Sequence, residues 1–136
     1  MQLIKNNKTN DQALYELGKI HLILNNFEKA VDFFDRAISI NPMNSKIILK
    51  KSIAYFYQQK YEDAILCLEK IPEVDTLYNY AQYEKSKIQM LQGNTKQSIE
   101  ILSKIIKIND VFRLMASNEI IFESISNMFE FKELIK

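Results

Sequence analysis

The sequence predicts an all-α protein built from repeated pairs of antiparallel helices, and three observations support this prediction. Apolar residues recur with helical spacing, for example at Phe27, Ala30, Phe34 and Ala37. A short motif appears three times with a period of 34 residues. Only two glycines and two prolines occur among the 136 residues, too few for the many tight turns of a β-sheet protein.

The repeated motif lies at the junction between the two helices of each pair. Residues 25–30 (NNFEKA) recur as residues 59–64 (QKYEDA) and, more weakly, as residues 93–98 (GNTKQS). Apolar positions keep the same spacing, at Phe34, Leu68 and Leu102 and again at Ala37, Ile71 and Ile105. Three segments in one frame indicate three copies of a single structural unit.

Two further positions of the repeat hold only small residues in all three copies, and we call the three residues at one position a column. Gly18, Ser52 and Ser86 form the first column, which lies in the first helix of each pair. The second column lies near the start of the second helix and contains Ala30, Ala64 and Ser98. Small side chains at both positions allow paired helices to approach closely, while the larger neighbours fill the space between them.

The periodicity and the helix-breaking residues predict six helices in order. Pro42 and Pro72 each end a helix, because proline lacks an N–H group and clashes with the preceding turn. Pro72 comes four positions earlier in its repeat than Pro42, so a short second helix and an irregular connection are expected there. The predicted helices span residues 12–24, 27–40, 45–58, 61–71, 77–91 and 95–108.

The chain resembles the tetratricopeptide repeat (TPR) family, whose motif reads W-x2-L-G-x2-Y, then A-x3-F, then P. The first repeat has Leu14, Leu17, Gly18 and His21, followed by Ala30, Phe34 and Pro42. The resemblance implies a right-handed α-solenoid with repeats at residues 11–44, 45–78 and 79–112, preceded by a tail at residues 1–10. The motif is weakest in the third repeat.

The 34-residue frame ends at about residue 112, and a different pattern follows. Phe122 and Ile125 are echoed nine residues later by Phe131 and Leu134. The last repeat of a solenoid has an apolar face that needs covering. Residues 113–136 are therefore predicted to form a helical cap, with a partner-binding tail as the alternative.

Composition argues against several classes of function. The net charge of +1 provides no field for nucleic acid, and apolar runs are too short to span a membrane. One histidine and one cysteine cannot form a metal cluster, and no glycine-rich phosphate loop occurs. We therefore expect no enzyme, metal or cofactor. His21 and Cys67 are interpreted as packed residues, and the single cysteine suggests a reducing cytoplasm.

The family resemblance implies that the first helix of each repeat lines a concave groove. Aromatic, aliphatic and charged residues on this face suit an extended or helical peptide. The alternative is an ordinary solvated surface. The predicted groove residues are Tyr15, Lys19, Leu49, Lys50, Ile53, Tyr57, Tyr83, Glu84 and Lys87.

These features predict a protein-binding adaptor or scaffold. The alternative is a structural subunit that docks through its ends or its convex face. Chaperone-binding relatives hold a C-terminal carboxylate with a clamp of lysines, an arginine and asparagines. The corresponding positions hold Tyr15, Lys19, Lys50, Tyr80 and Glu84. Both asparagines and the late basic pair are missing, so chaperone binding is not expected.

Overall fold

A computed structural model describes residues 7–136, with side chains from Asn10 onwards. This part of the chain is helical and contains no strand, which confirms the all-α prediction. Its elements are α1 (Asn7–Ile23), α2 (Phe27–Ile40), α3 (Ser45–Tyr57), α4 (Tyr61–Leu68), α5 (Tyr78–Leu91), α6 (Thr95–Ile108), α7 (Val111–Asn118), a 3-10 helix (Ile120–Ile125) and α8 (Phe129–Ile135).

Two helix boundaries differ by more than one residue from the sequence-based expectation. Helix α1 begins at Asn7, so residues 7–10 of the predicted tail are helical, whereas its residues 1–6 lie outside the described part. Helix α4 ends at Leu68, three residues before the expected end, and the expected irregular connection follows it. Asp75 organises this connection by accepting hydrogen bonds from Ser45 Oγ at 2.5 Å and from Leu77 N at 2.8 Å.

The junction inside each repeat has the same backbone structure. Asn25, Gln59 and Gly93 lie 34 residues apart and all have positive φ, at 62°, 60° and 83°. The amide that follows each of them bonds to the carbonyl five residues earlier, as between Asn26 N and His21 O at 2.8 Å. This is the Schellman arrangement, in which a left-handed residue ends one helix and satisfies its last carbonyls. The short connection then starts an antiparallel partner helix.

The described part of the chain divides into two compact units, unit 1 up to residue 77 and unit 2 from residue 78 to residue 136. The core of unit 1 joins the two helices of the first repeat to α3. It contains Tyr15, Ala30, Phe34, Ala37, Ile47 and Ala54. The small residues predicted to allow close packing are all buried: Gly18, Ala30, Ser52 and Ala64.

The core of unit 2 combines the third repeat with the C-terminal segment. Leu102, Ile105 and Ile106 of α6 pack in one cluster with Phe122 and Phe131. Apolar residues of α6 are thus covered by α7, the 3-10 helix and α8. The two small residues of this repeat are in contact, because Ser98 Oγ donates a hydrogen bond to the backbone carbonyl of Ser86 at 2.7 Å.

Candidate functional site

The two units divide the predicted groove residues between them. Unit 1 contains Tyr15, Lys19, Leu49, Lys50, Ile53 and Tyr57, and unit 2 contains Tyr83, Glu84 and Lys87. The structure corrects the expectation that all of them line an open surface. Four have little exposed area: Tyr15 (5%), Leu49 (7%), Tyr83 (2%) and Glu84 (9%). Tyr15, Leu49 and Tyr83 occupy the same repeat position, so this whole column belongs to the interior.

In unit 2 the chain's own C-terminal segment covers the predicted site. The Tyr83 ring lies 5.9 Å from the ring of Phe112 and 6.2 Å from that of Phe122. Lys87 Nζ lies 3.0 Å from a carboxylate oxygen of Glu84 and 3.8 Å from one of Glu119. Burial raises the pKa of Tyr83 well above its usual value. These side chains therefore hold unit 2 together and leave little surface for a partner.

In unit 1 Tyr15 is buried but its neighbour Lys19 is not. The Tyr15 ring lies 6.1 Å from that of Phe34, and burial raises the Tyr15 pKa. Lys19 Nζ lies over the same ring, 4.6 Å from its centroid, and 3.1 Å from Glu16 Oε1. Lys19 remains partly exposed, although Glu16 already pairs with its charge.

The main accessible surface among the predicted residues lies on α3. Lys50 and Ile53 are half-buried, while Tyr57 is 59% exposed. Lys46 lies one turn before Lys50, so the four residues follow the i, i+4, i+7, i+11 spacing of a single helix face. Helix α3 contains three lysines and no acidic residue. Lys51 points elsewhere and contacts Asp35 Oδ1 at 2.6 Å.

An aromatic pair lies at the C-terminal end of this stripe. The ring of Tyr57 stacks on that of Phe27, the first residue of α2, with centroids 5.5 Å apart and planes 14° apart. We call Lys46, Lys50, Ile53, Tyr57 and Phe27 together the α3 face. Sequence reasoning missed Lys46 and Phe27. Lys46 was detectable from helical spacing, whereas the position of Phe27 depends on how two helices pack.

The two residues with possible chemistry are packed, as expected from the sequence. His21 stacks on Phe33 with centroids 5.3 Å apart, and its Nδ1 lies 3.3 Å from Asn26 Nδ2. Cys67 is buried, and burial raises the pKa of its thiol. Within residues 7–136 no three His, Cys, Asp or Glu side chains come together as a metal-binding group. None of the helices described is long and apolar enough to cross a membrane.

Known proteins share both sequence and fold with this chain. Residues 12–44 match the family model described as tetratricopeptide repeat. A TPR repeat-containing protein of Methanocaldococcus jannaschii is 25% identical over 119 residues, covering 75% of this chain and 21% of that protein. The chain thus spans about a fifth of the length of that curated relative.

Two solved structures have the same fold. MamA is 19% identical with a TM-score of 0.76, covering 98% of this chain and 79% of the MamA chain. The first TPR of Spaghetti, solved with an HSP90 peptide, is 13% identical with a TM-score of 0.68, covering 91% of this chain and 89% of that one. The match at residues 12–44 thus identifies a tetratricopeptide repeat in this chain, and the two structures show that the chain shares their helical fold.

Proposed function

We propose that this chain is a non-catalytic adaptor that holds a peptide or a segment of another protein against the first helices of unit 1. The TPR fold supports a protein–protein interaction role, and TPR proteins are generally interaction modules without catalysis. The observation that carries the finer proposal is that several predicted residues on the first helices of unit 1 remain accessible. Lys19 on α1 and Lys50, Ile53 and Tyr57 on α3 all keep exposed area.

The second helices are less suited to this role. The exposed large apolar side chains on α2 and α4, Ile40 and Leu66, are aliphatic rather than aromatic. The first helices instead combine a lysine-bearing stripe with an exposed ring, and aromatic residues are frequent anchors in interfaces. A fold-level precedent is the first TPR of Spaghetti, which was solved with a bound peptide.

The proposed partner is not the carboxyl terminus of a chaperone. Two of the five clamp positions, Tyr15 and Glu84, are buried, and Glu84 would bring negative charge to a bound carboxylate. The balanced net charge likewise favours a protein partner over nucleic acid, in the cytoplasm of the cell.

Selection from a phage-displayed peptide library with the purified chain tests this function. We expect selected peptides to bind the native chain and to lose binding to the Ile53→Ala/Tyr57→Ala variant, because truncated interface anchors commonly cost more than about 1 kcal/mol each. The matched control is Leu66→Ala/Lys70→Ala on and just after α4, where Leu66 is as exposed as Tyr57. Loss of binding in the control alone would contradict the proposal.

The competing function is a structural subunit that docks through its end, and one observation favours it. Leu114, Ile120 and Phe129 of the C-terminal segment are large apolar residues with most of their area exposed. Light scattering after size exclusion separates the two functions. An adaptor is expected to elute as a monomer over a wide concentration range, whereas a subunit with an unpaired apolar end is expected to self-associate.

A further inference from the structure

We infer that the α3 face recognises an acidic segment with a large apolar or aromatic side chain at a fixed distance from its carboxylate. This inference rests on the proposed function and specifies the ligand's chemistry. It follows from the difference in chemistry between the two ends of the α3 face. Lysines occupy its N-terminal half, and stacked rings occupy its C-terminal half.

The lysine half is available for an external carboxylate. Lys46 is exposed and Lys50 is half-buried, and neither forms an ion pair with any residue of the described part of the chain. Lys51 differs, because Asp35 already neutralises it. α3 itself has no acidic side chain, and an acidic ligand residue complements the charges of Lys46 and Lys50.

The aromatic half presents a rigid apolar surface. Tyr57 is 59% exposed although its ring is held on one side by Phe27 and on an edge by Phe56, 5.5 Å away. Its position is therefore fixed before a ligand binds, which lowers the entropy that binding would cost. Ile53 lies between this ring and Lys50 and continues the apolar surface towards the lysines.

The distance between the two halves of the α3 face sets the distance between the carboxylate and the ring of the ligand. Lys50 and Tyr57 are seven residues apart on α3, which corresponds to about 10 Å along a helix. An extended peptide advances about 3.3 Å per residue, so its carboxylate and its ring should be about three residues apart. A helical ligand would need about seven residues for the same distance.

A protein ligand fits this surface better than a nucleic acid. Binding to nucleic acid is dominated by many phosphate contacts, each made by a lysine or arginine. The α3 face has two unpaired lysines, and the whole chain has a formal net charge of only +1. Two lysines beside one exposed ring match one or two acidic side chains and a single apolar anchor.

Fluorescence anisotropy with a defined probe tests the inference. The probe is a labelled extended peptide with two adjacent glutamates and a phenylalanine about three residues after them. We expect binding that weakens as the salt concentration rises. Lys50→Glu and Tyr57→Ala are each expected to weaken it by about tenfold, as for truncated interface anchors. The matched control, Lys104→Glu, reverses the charge of an exposed lysine on α6 and is expected to bind normally.

A charge-swapped probe with lysines in place of the glutamates supplies the decisive comparison. Wild-type protein is expected to bind this probe weakly, and Lys50→Glu is expected to bind it better than wild type does. Equal binding of both probes by wild type overturns the inference, as does tighter binding of a single-stranded oligonucleotide. Library-selected peptides that need Ile53 and Tyr57 but show no dependence on Lys50 would overturn it while leaving the proposed adaptor function intact.

Discussion

Gly18 on α1 lies so close to the ring of Phe34 on α2 that a Cβ atom on Gly18 would be 2.6 Å from Cδ1 and closer still to Cε1. Phe34 is completely buried, so its ring has little room to move away. The corresponding positions of the other repeats hold different residues, Ser52 and Leu68 in the second repeat and Ser86 and Leu102 in the third. A larger residue on one helix is thus matched by a smaller one on its partner.

The first prediction is that Gly18→Ser destabilises the protein and that Phe34→Leu relieves the effect. Overpacking a core typically costs about 1–3 kcal/mol. The double variant Gly18→Ser/Phe34→Leu recreates the pair of the other repeats and should recover part of the lost stability, which urea unfolding would measure. Purely additive losses in the double variant would show that the two side chains do not compete for the same space.

The second prediction concerns the left-handed residues at the repeat junctions. Gln59 has φ of 60°, a conformation that costs a non-glycine residue roughly 1–2 kcal/mol. Gln59→Gly removes this strain but gives the unfolded chain more freedom, so a net gain of up to about 1 kcal/mol is expected.

Gly93→Ala is the reciprocal change and should lower stability. A Cβ on Gly93 would meet no atom within 4 Å, so only its φ of 83° can penalise the substitution. Thermal unfolding measures both variants. A stabilising Gly93→Ala substitution would contradict the backbone-strain explanation.

The third prediction is that the C-terminal segment stabilises unit 2 through Phe122. This ring is almost completely buried and lies 5.7 Å from that of Phe131 as well as 6.2 Å from that of Tyr83. Phe122→Ala should cost about 3–5 kcal/mol, because the cavity cannot collapse completely. Calorimetry should show a lower Tm.

The neighbouring Phe129 provides the control, because it is largely exposed. Phe129→Ala should change the Tm little. Deleting residues 118–136 should have a larger effect than Phe122→Ala and promote self-association, since the apolar side of α6 would then be exposed. A truncated chain that is monomeric and equally stable would instead favour a detachable tail.

The fourth prediction concerns pH. Hydrogen bonds from Ser45 Oγ and from the amide of Leu77 hold the pKa of the Asp75 carboxyl below its usual value. Because the folded-state pKa is the lower one, the ionised carboxylate stabilises the fold above the unfolded pKa of about 3.9. That contribution is lost as pH falls through the folded pKa.

Ser45→Ala removes the hydrogen bond that lowers the Asp75 pKa most, so the Asp75 pKa should rise towards its usual value. An NMR titration of the carboxyl carbon measures the change directly. The control is Ser39→Ala, whose hydroxyl donates to a backbone carbonyl and should leave Asp75 unchanged. An unaltered Asp75 pKa in Ser45→Ala would mean that this hydrogen bond is absent in solution.

Much of the local structure was determined by the sequence. The recurrence of Phe27, Tyr61 and Thr95 placed the start of each second helix at the observed residue, because a 34-residue period and a breaking junction leave little freedom. Pro72 likewise predicted the short α4. These features depend on backbone propensity and on spacing along one chain, which a sequence records directly.

The tertiary structure decided which side chains remain available. Tyr15, Leu49 and Tyr83 lie on the helix faces that the family resemblance assigned to a groove, yet the packing of neighbouring elements buries them. Tyr83 is covered by Phe112, at the end of the repeat frame, and by Phe122, which comes from the segment beyond that frame. Periodicity fixes the direction of a side chain around its own helix, but burial depends on what packs there. The sequence predicted Tyr57 as a binding residue, but only the packing shows that Phe27 holds its ring while the ring stays open to solvent.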